Sequence, residues 1–359
     1  MWWIIPLAQR MNRALMNLKI INPLDVPHWD DLVLDHIEPS VFYTSSWAKV
    51  LKTSYGYSPK YFTAEKGGML SALLPVMEVR SSLTGRRGVS IPFTDYCEAL
   101  VDDEEAFRML VDRVVEYGRK SGWNYVELRG GQNYLAEAPV FESFFKHTLE
   151  LRDDKRAMLA SFRNSTVRNI KKAVEAGVET RVCTSLEAVH TYYHLHCLTR
   201  KRQGVPPQPF HFFKNIHEYV ISKNRGFVVV ASFGSKPVAG GVYFHFGRDA
   251  IYKFGASDIS YQHLRANNLV MWEAIKWFSL NGYQSFCFGR TDVGDEGLRQ
   301  FKNGWGTSEI HLNYYRFNVS DGEFVAGRSA VGLYSEKLLR RLPPRFLGLI
   351  GHVLYRHMG

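Results

Sequence analysis

The sequence predicts an α/β (α+β) protein built as two tandem modules, each with a mixed, mostly antiparallel sheet flanked by helices. Three observations carry this. The chain has 359 residues, a length that suits two domains at roughly 100–200 residues each. A three-strand meander, a helix and a further strand occur twice in the same order, with little identity between the copies. Apolar residues make up 45% of the chain and charged residues 22%, which excludes a wholly disordered, collagenous or disulfide-dense chain.

The elements follow from local pattern. Residues 60–79 alternate around Gly67-Gly68, a hairpin signal, and residues 88–94 add a third short strand. Asp102 is expected to cap a helix reaching residue 117, because Phe107, Leu110, Val111, Val114 and Val115 recur at helical spacing. Gly118 and Gly122 mark its end, and 124–128 is the next strand. The second half repeats the order. Strands at 227–233 and 238–246 flank the turn Gly234-Ser235-Lys236-Pro237, and Gly247-Arg248-Asp249 leads into a third at 250–256. A helix over 264–281 keeps Leu264, Leu269, Trp272, Ile275 and Phe278 near helical spacing, and a strand covers 283–288. Between the modules lie helical segments near 154–176, 185–203 and 209–222. The expected organisation is an N-terminal extension (1–15), a first module (16–150), a second module (151–320) and a basic amphipathic C-terminal segment (321–359).

Charge and composition narrow the function classes. Lys and Arg number 45 against 35 Asp and Glu, a net charge of +10 that favours anionic partners such as nucleic acid, phosphorylated substrates or acidic lipid. Cys97, Cys183, Cys197 and Cys287 form no CxxC pair or zinc spacing and fit a reducing cytoplasm. His190, His194 and His196 share one helix with no carboxylate among them, and there is no HExxH, so no metal is expected. No apolar run reaches the length of a membrane span. The segment 336–359 carries Lys337, Arg340, Arg341, Arg345 and Arg356 against Glu336, around an apolar stretch at 346–349. It reads as a helix docked on the body or as an amphipathic element on anionic lipid.

Four constellations can carry chemistry. In Ser90-Ile91-Pro92-Phe93-Thr94-Asp95-Tyr96, Asp95 can accept a proton from an attacking amine or align it, and Tyr96 can donate to a carbonyl or phosphate oxygen. The same residues also make a turn with an Asx cap. Glu127 and Arg129 lie two apart on one strand face before Gly130-Gly131, at a sheet end where ligands bind, or pair internally. Arg163, Arg168, Lys171 and Lys172 form a basic helical segment suited to phosphate, or a solvated face. Finally, Phe288-Gly289-Arg290-Thr291-Asp292 is followed by Phe301-Lys302-Asn303-Gly304-Trp305-Gly306. Lys302, held between Phe301 and a Trp305-Gly306 turn, can stabilise the oxyanion of acyl transfer, or is an ordinary loop lysine.

Together these stretches, at 90–96, 127–129, 162–173, 288–291 and 301–306, resemble the FemAB-like branch of the GNAT acyltransferase superfamily over about residues 18–318. The resemblance implies two tandem GNAT-like modules and an acyltransferase. Better known members are peptidoglycan-bridge aminoacyltransferases, which move an amino acid from aminoacyl-tRNA to an amine of a lipid- or nucleotide-linked muropeptide. Relatives are associated with exopolysaccharide or protein-sorting loci. The resemblance matches Asp95 to an acidic residue near the acceptor and Lys302 to a lysine at the reacting centre. Alongside them, Tyr96, Glu127, Arg129, Arg163, Arg168, Lys171, Arg290 and Trp305 are read as substrate-binding residues. The resemblance also implies no tightly bound cofactor, aminoacyl-tRNA or acyl-CoA as co-substrate, an envelope precursor as acceptor, and a cytoplasmic location at the inner membrane face. Two departures stand out. The stretch Gln262–Leu264 with Arg265-Ala266-Asn267-Asn268 has no glycine, unlike the pyrophosphate loop of ordinary GNAT enzymes. The 185–222 region is too short for the helical-pair arm of some bridge-forming members. Alternative readings are an acyl-CoA-dependent transferase of exopolysaccharide biosynthesis and a catalytically silent binding module of an export complex.

Overall fold

A computed structural model describes residues 17–35, 39–66, 69–327, 339 and 342–359 of the chain. The expected extension at 1–15, the Gly67-Gly68 turn, and Lys337, Arg340 and Arg341 lie outside the described residues. The first half opens with β1 (Asn17–Ile21), α1 (Trp29–Leu34) and α2 (Ser45–Tyr55). Thr44 caps α2 by accepting from Trp47 N, and Gly56 ends it in the left-handed conformation. The meander follows as β2 (Ser58–Lys66), β3 (Met69–Ser81) and β4 (Gly85–Val89). The third strand therefore ends earlier than the expected 88–94. Ile91 and Phe93 take φ of 53° and 61°, which no strand accommodates. Helix α3 (Glu104–Ser121) is capped by Asp103 rather than Asp102 and runs to Gly122. The strand β5 (Tyr125–Arg129) comes next, then β6 (Glu142–Glu150), which periodicity does not reveal.

The middle of the chain folds as α4 (Lys155–Ser161), α5 (Asn164–Glu175), β7 (Val178–Cys183), α6 (Leu186–Gln203) and α7 (Phe210–Tyr219). The second meander is β8 (Gly226–Phe233), β9 (Lys236–Phe246) and β10 (Asp249–Ser257), turned at Gly234 and Gly247 with φ near 60°. Then come α8 (Ala266–Leu280), β11 (Ser285–Asp292), α9 (Glu296–Asn303), β12 (Ser308–Asn318) and β13 (Glu323–Val325). The C-terminal helix is α10 (Pro344–Leu354).

All these strands share one sheet, in the order β1-β2-β3-β4-β5-β12-β6-β11-β10-β9-β8-β7, with β13 on β12. Among the described strands, only β4 with β5 and β10 with β11 run parallel. Each parallel pair closes one repeat of meander, helix and strand. The following strands are exchanged between the halves: β6 pairs with β11, while β12 pairs with both β5 and β6. The expected boundary at 150 falls at the end of β6, a strand whose neighbours both come from the second half.

Apolar packing follows the same plan. Leu110 and Val114 of α3 pack on Phe62 and Leu74 of the first sheet region, and Ile275 and Phe278 of α8 pack on Val229 and Phe286 of the second. A further cluster draws on both halves. Trp47 of α2 meets Phe212 of α7 and Phe244 of β9, with ring centroids 6.2 and 5.7 Å away.

At the join, Glu127 of β5 forms a buried triad. Its Oε1 accepts from Arg129 Nε and Nη2, each at 3.1 Å, and its Oε2 accepts from Arg316 Nη2 of β12 at 2.7 Å. Burial alone would raise this carboxyl, but the two guanidinium groups override it and hold it below the ordinary value. Glu127→Gln leaves two guanidinium groups without their buried counterion. It is expected to cost about 3–5 kcal/mol in denaturant unfolding. The depressed pKa makes this a contribution present above the ordinary glutamate pKa and lost as pH falls through the lower, folded-state value. The gap between wild type and Glu127→Gln should therefore narrow on acidification.

Candidate active site at the junction of the two halves

The parallel pairing of β4 with β5 continues one residue past β4: Ser90 N donates to Glu127 O at 2.8 Å, and Arg129 N donates to Ser90 Oγ at 2.7 Å. The chain then turns away through Ile91 and Phe93. Left-handed backbone at such residues costs roughly 1–3 kcal/mol each and persists only where surroundings enforce it. Here Thr94 Oγ1 donates to Ile91 O at 2.7 Å, and Arg129 Nη1 donates to Ile91 O and Thr94 O at 3.4 and 3.3 Å. Tyr314 OH of β12 donates to Asp95 O at 2.6 Å. The loop is thus held to deliver Asp95 into the second half.

What receives it is the fork between β10 and β11. These strands pair only from Asp249 to Ile251 against Ser285 to Cys287. Beyond that, β10 bulges between Tyr252 and Phe254, and β11 between Cys287 and Arg290. Lys253, at the first bulge, donates from Nζ to Asp95 Oδ2 at 2.6 Å, with its side chain only 6% exposed. At the second bulge, Arg290 N donates to Asp95 Oδ1 at 3.4 Å. Gly289 has φ 70°, and a Cβ there would stand 3.1 Å from Asp95 Oδ1 and 3.3 Å from Tyr252 O. A side chain at 289 would press on the carboxylate.

Lys302 approaches from α9, whose first turn is capped by Asp295 accepting from Leu298 N at 2.9 Å. Its Nζ donates to Gly289 O at 3.1 Å and to Arg290 O at 2.8 Å, and the residue is 2% exposed. The Arg290 guanidinium lies 4.2 Å from the Phe144 ring centroid and donates to Tyr314 OH at 2.8 Å. Lys146 Nζ sits 3.9 Å from the Tyr96 ring centroid.

Electrostatics sort the roles. Burial would raise the Asp95 carboxyl, but Lys253, then Arg290 and Lys302, hold it below the ordinary aspartate value. It is a fixed anion more than a strong base. Burial lowers the Lys302 pKa to about 8, with Asp95 opposing. Burial also raises the Cys287 thiol, so it is no ready nucleophile.

Asp95, Arg129 and Arg290 meet at Tyr314, Lys302 reaches the same bulge from α9, and Tyr96 lies beside Lys146. Glu127 is the counterion of Arg129 and Arg316. Arg163, Arg168 and Lys171 are exposed at the start and along one side of α5, and none forms an ion pair among the described residues. The N-terminus of α5 touches the Lys302 segment through Arg163 N and Thr166 Oγ1, which donate to Gly304 O at 2.9 and 2.8 Å. Trp305 departs from its expected place on a substrate surface. It is 0% exposed, packed on Phe162, Phe288 and Phe301, and fixes the turn after Lys302 from within the core. Pattern reading missed Lys253, whose signal is a single lysine inside the apolar strand Ala250-Ile251-Tyr252-Lys253-Phe254.

Beside this cluster, a cleft of about 130 Å³ opens at the N-terminus of α8, lined by Ser257, Asp258, Gln262, Arg265, Asn267 and Phe301 among others. No side chain caps α8, and its first turn has no acid. Arg265 supplies the left-handed backbone, φ 60°, that glycine would otherwise provide. The equivalent end of α3 is closed by the Asp103 cap and carries Glu104 and Glu105. Only the α8 end thus suits an anion.

Residues 160–303 match the family model of the Acetyltransferase (GNAT) domain. This stretch is a GNAT domain, and the protein is an acyltransferase. No curated protein sequence matches it. Among solved structures, it is similar to FemX at 13% identity, covering 83% of this chain and 97% of that one, with TM-score 0.65. It is also similar to a tandem GNAT protein from the clavulanic acid biosynthesis pathway, at 10% identity, 85% and 98% coverage and TM-score 0.55. A third is the C-terminal domain of an Agrobacterium fabrum protein described as a lysylphosphatidylglycerol synthetase, at 14% identity, 79% and 89% coverage and TM-score 0.53. These likenesses bear out the expected tandem GNAT fold. No helix among the described residues is long and apolar enough to cross a membrane.

The depressed Lys302 pKa has a signed consequence. Between pH 8 and 10.5 the unfolded lysine keeps a proton that the folded one has lost, so stability rises with pH there. Lys302→Met should lack this rise when unfolding is followed across that range.

Proposed function

We propose that the protein is a FemAB-like N-acyltransferase that moves an aminoacyl group from aminoacyl-tRNA to an amine of a cell-envelope precursor, peptidoglycan or polysaccharide. The observation that carries this reading is the meeting of Asp95 from the first half with Lys253 and Lys302 from the second, at the fork of β10 and β11. The similarity to FemX over nearly that whole chain supports it.

In the proposed reaction the acceptor amine attacks the donor carbonyl, and the bond from carbonyl carbon to the tRNA ribose oxygen breaks. Asp95 aligns the amine and offsets the positive charge that grows on its nitrogen. An ammonium has three N–H donors. Lys302 spends two on Gly289 O and Arg290 O, which leaves one for the oxyanion. The amine proton leaves with the ribose oxygen. Tyr96, Arg129 and Arg290 frame the reacting groups, and the exposed Arg163, Arg168 and Lys171 side of α5 meets donor phosphate. Binding two substrates across the junction supplies much of the rate by proximity. Such a reaction belongs at the cytoplasmic face of the membrane, where charged tRNA and lipid-linked precursors meet.

One observation favours a second donor, acyl-CoA. The uncapped α8 end, with Arg265 and Asn267 at its cleft, offers a pyrophosphate the positive end of a helix. The leaving group would then be the thiolate sulfur.

Asp95→Ala and Lys302→Ala are each expected to lower transfer by about 100-fold or more. Turnover within a few-fold of wild type in both would overturn the assignment. A donor held at 100 times its Kd adds about 2.7 kcal/mol of stability, so melting with charged tRNA and with acetyl-CoA separates the two donors. Arg265→Glu should abolish stabilisation by acetyl-CoA and spare that by charged tRNA. Precursor binding without transfer from either donor would identify a binding module instead.

A further inference from the structure

Helix α10 is fastened to the body along one side. Leu347 and Tyr355 are buried, and a Cβ on Gly351 would stand 2.0 Å from Pro207 O. Tyr355 OH donates to Pro206 O at 3.0 Å, and Tyr57 OH donates to Tyr355 O at 2.9 Å. Just beyond, Arg87 Nη2 donates to His357 O at 2.7 Å. So tethered, the helix cannot roll to hide its other side, where Phe346, Leu349 and Val353 are 58%, 66% and 55% exposed. Their spacing of three and then four residues aligns them in one stripe.

A cavity of about 260 Å³ lies at the same helix, lined by Ser54, Tyr55, Gly56, His211, His352 and Arg356. His211 Nε2 is engaged with Ser54 O at 2.9 Å, and the His211 and His352 rings sit edge to face at 5.2 Å. Arg356 has no ion-pair partner among the described residues. An apolar stripe beside an arginine-lined recess fits a surface that is apolar below and anionic above. The sequence around the helix has the same sign, with Lys337, Arg340, Arg341 and Arg345 against Glu336.

We propose that this face docks on a bilayer of anionic phospholipid, with Phe346, Leu349 and Val353 entering the acyl boundary and the Arg356 recess taking a lipid phosphate. Nothing in this requires the acyl-transfer reading to hold. The test is sedimentation of the full chain with vesicles of phosphatidylcholine alone or with about one-third phosphatidylglycerol. Binding at least about tenfold tighter to the anionic vesicles, weakening with salt, is expected. Replacing Phe346, Leu349 and Val353 together by Ser should abolish binding. Arg356→Gln, at an exposed position, should remove most of the preference for phosphatidylglycerol while the circular dichroism and melting temperature stay unchanged. Should the triple variant fail to fold, Arg356→Gln and the salt titration decide the question. Equal or absent binding to both vesicle types overturns the proposal. So does a concentration-dependent dimer that Leu349→Ser dissolves and anionic vesicles do not, since a second copy would then be the occupant.

Discussion

The buried contact between Asp95 and Lys253 ties a loop of the first half into a fork of the second, and much of the surrounding structure serves it. A carboxylate and an ammonium withdrawn from water lose hydration that only close, multiply bonded partners replace. The left-handed backbone at Ile91 and Phe93, the bare Cα of Gly289 and the bulges in β10 and β11 all bring the partners within reach. Arg290 and Lys302 then add positive charge around one anion. The result is a dry, preorganised set of charges, the environment in which electrostatic stabilisation of a transition state is strongest.

The two halves share a plan but not a chemistry. Both close a meander with a helix and a parallel strand, yet only the second leaves its helix end open, at Arg265, where the first places Asp103, Glu104 and Glu105. The two halves thus divide the labour. One half sends a loop and a carboxylate, and the other provides the fork, the lysines and the anion-ready helix end. The Glu127 triad lies where the halves are stitched, since Arg316 reaches it from an exchanged strand.

Much of this was legible in the chain. The repeated order of elements shows in apolar strand-length runs and in glycines that turn backbone, and those signals hold because strands such as β3 and β9 are buried over long continuous stretches between turn residues. The strands β6 and β12 were not legible. In each, one adjacent pair is buried, Phe144 with Phe145 and Tyr314 with Tyr315, which breaks the alternation into short runs, and a polar residue, His147, takes a buried position of β6. Asp95 and Lys302 stood out through their motifs. Lys253 did not, because a lone lysine in an apolar strand acquires meaning only when a loop from more than 150 residues away supplies its counterion. Trp305 was misplaced because the spacing that positions Lys302 also encodes an aromatic latch, and sequence does not tell a surface tryptophan from a buried one.

The exchanged strands also bear on how the chain comes to be made. As it is synthesised, β5 emerges with one edge paired to β4, while its other edge awaits β12, whose last residue is Asn318. Until then the newborn first half displays an open ladder of N–H and C=O groups, a template for wrong partners. Contacts this distant in sequence close late and slowly. The exchange of strands that joins the two halves therefore leaves an edge of the first half open for much of the chain's synthesis.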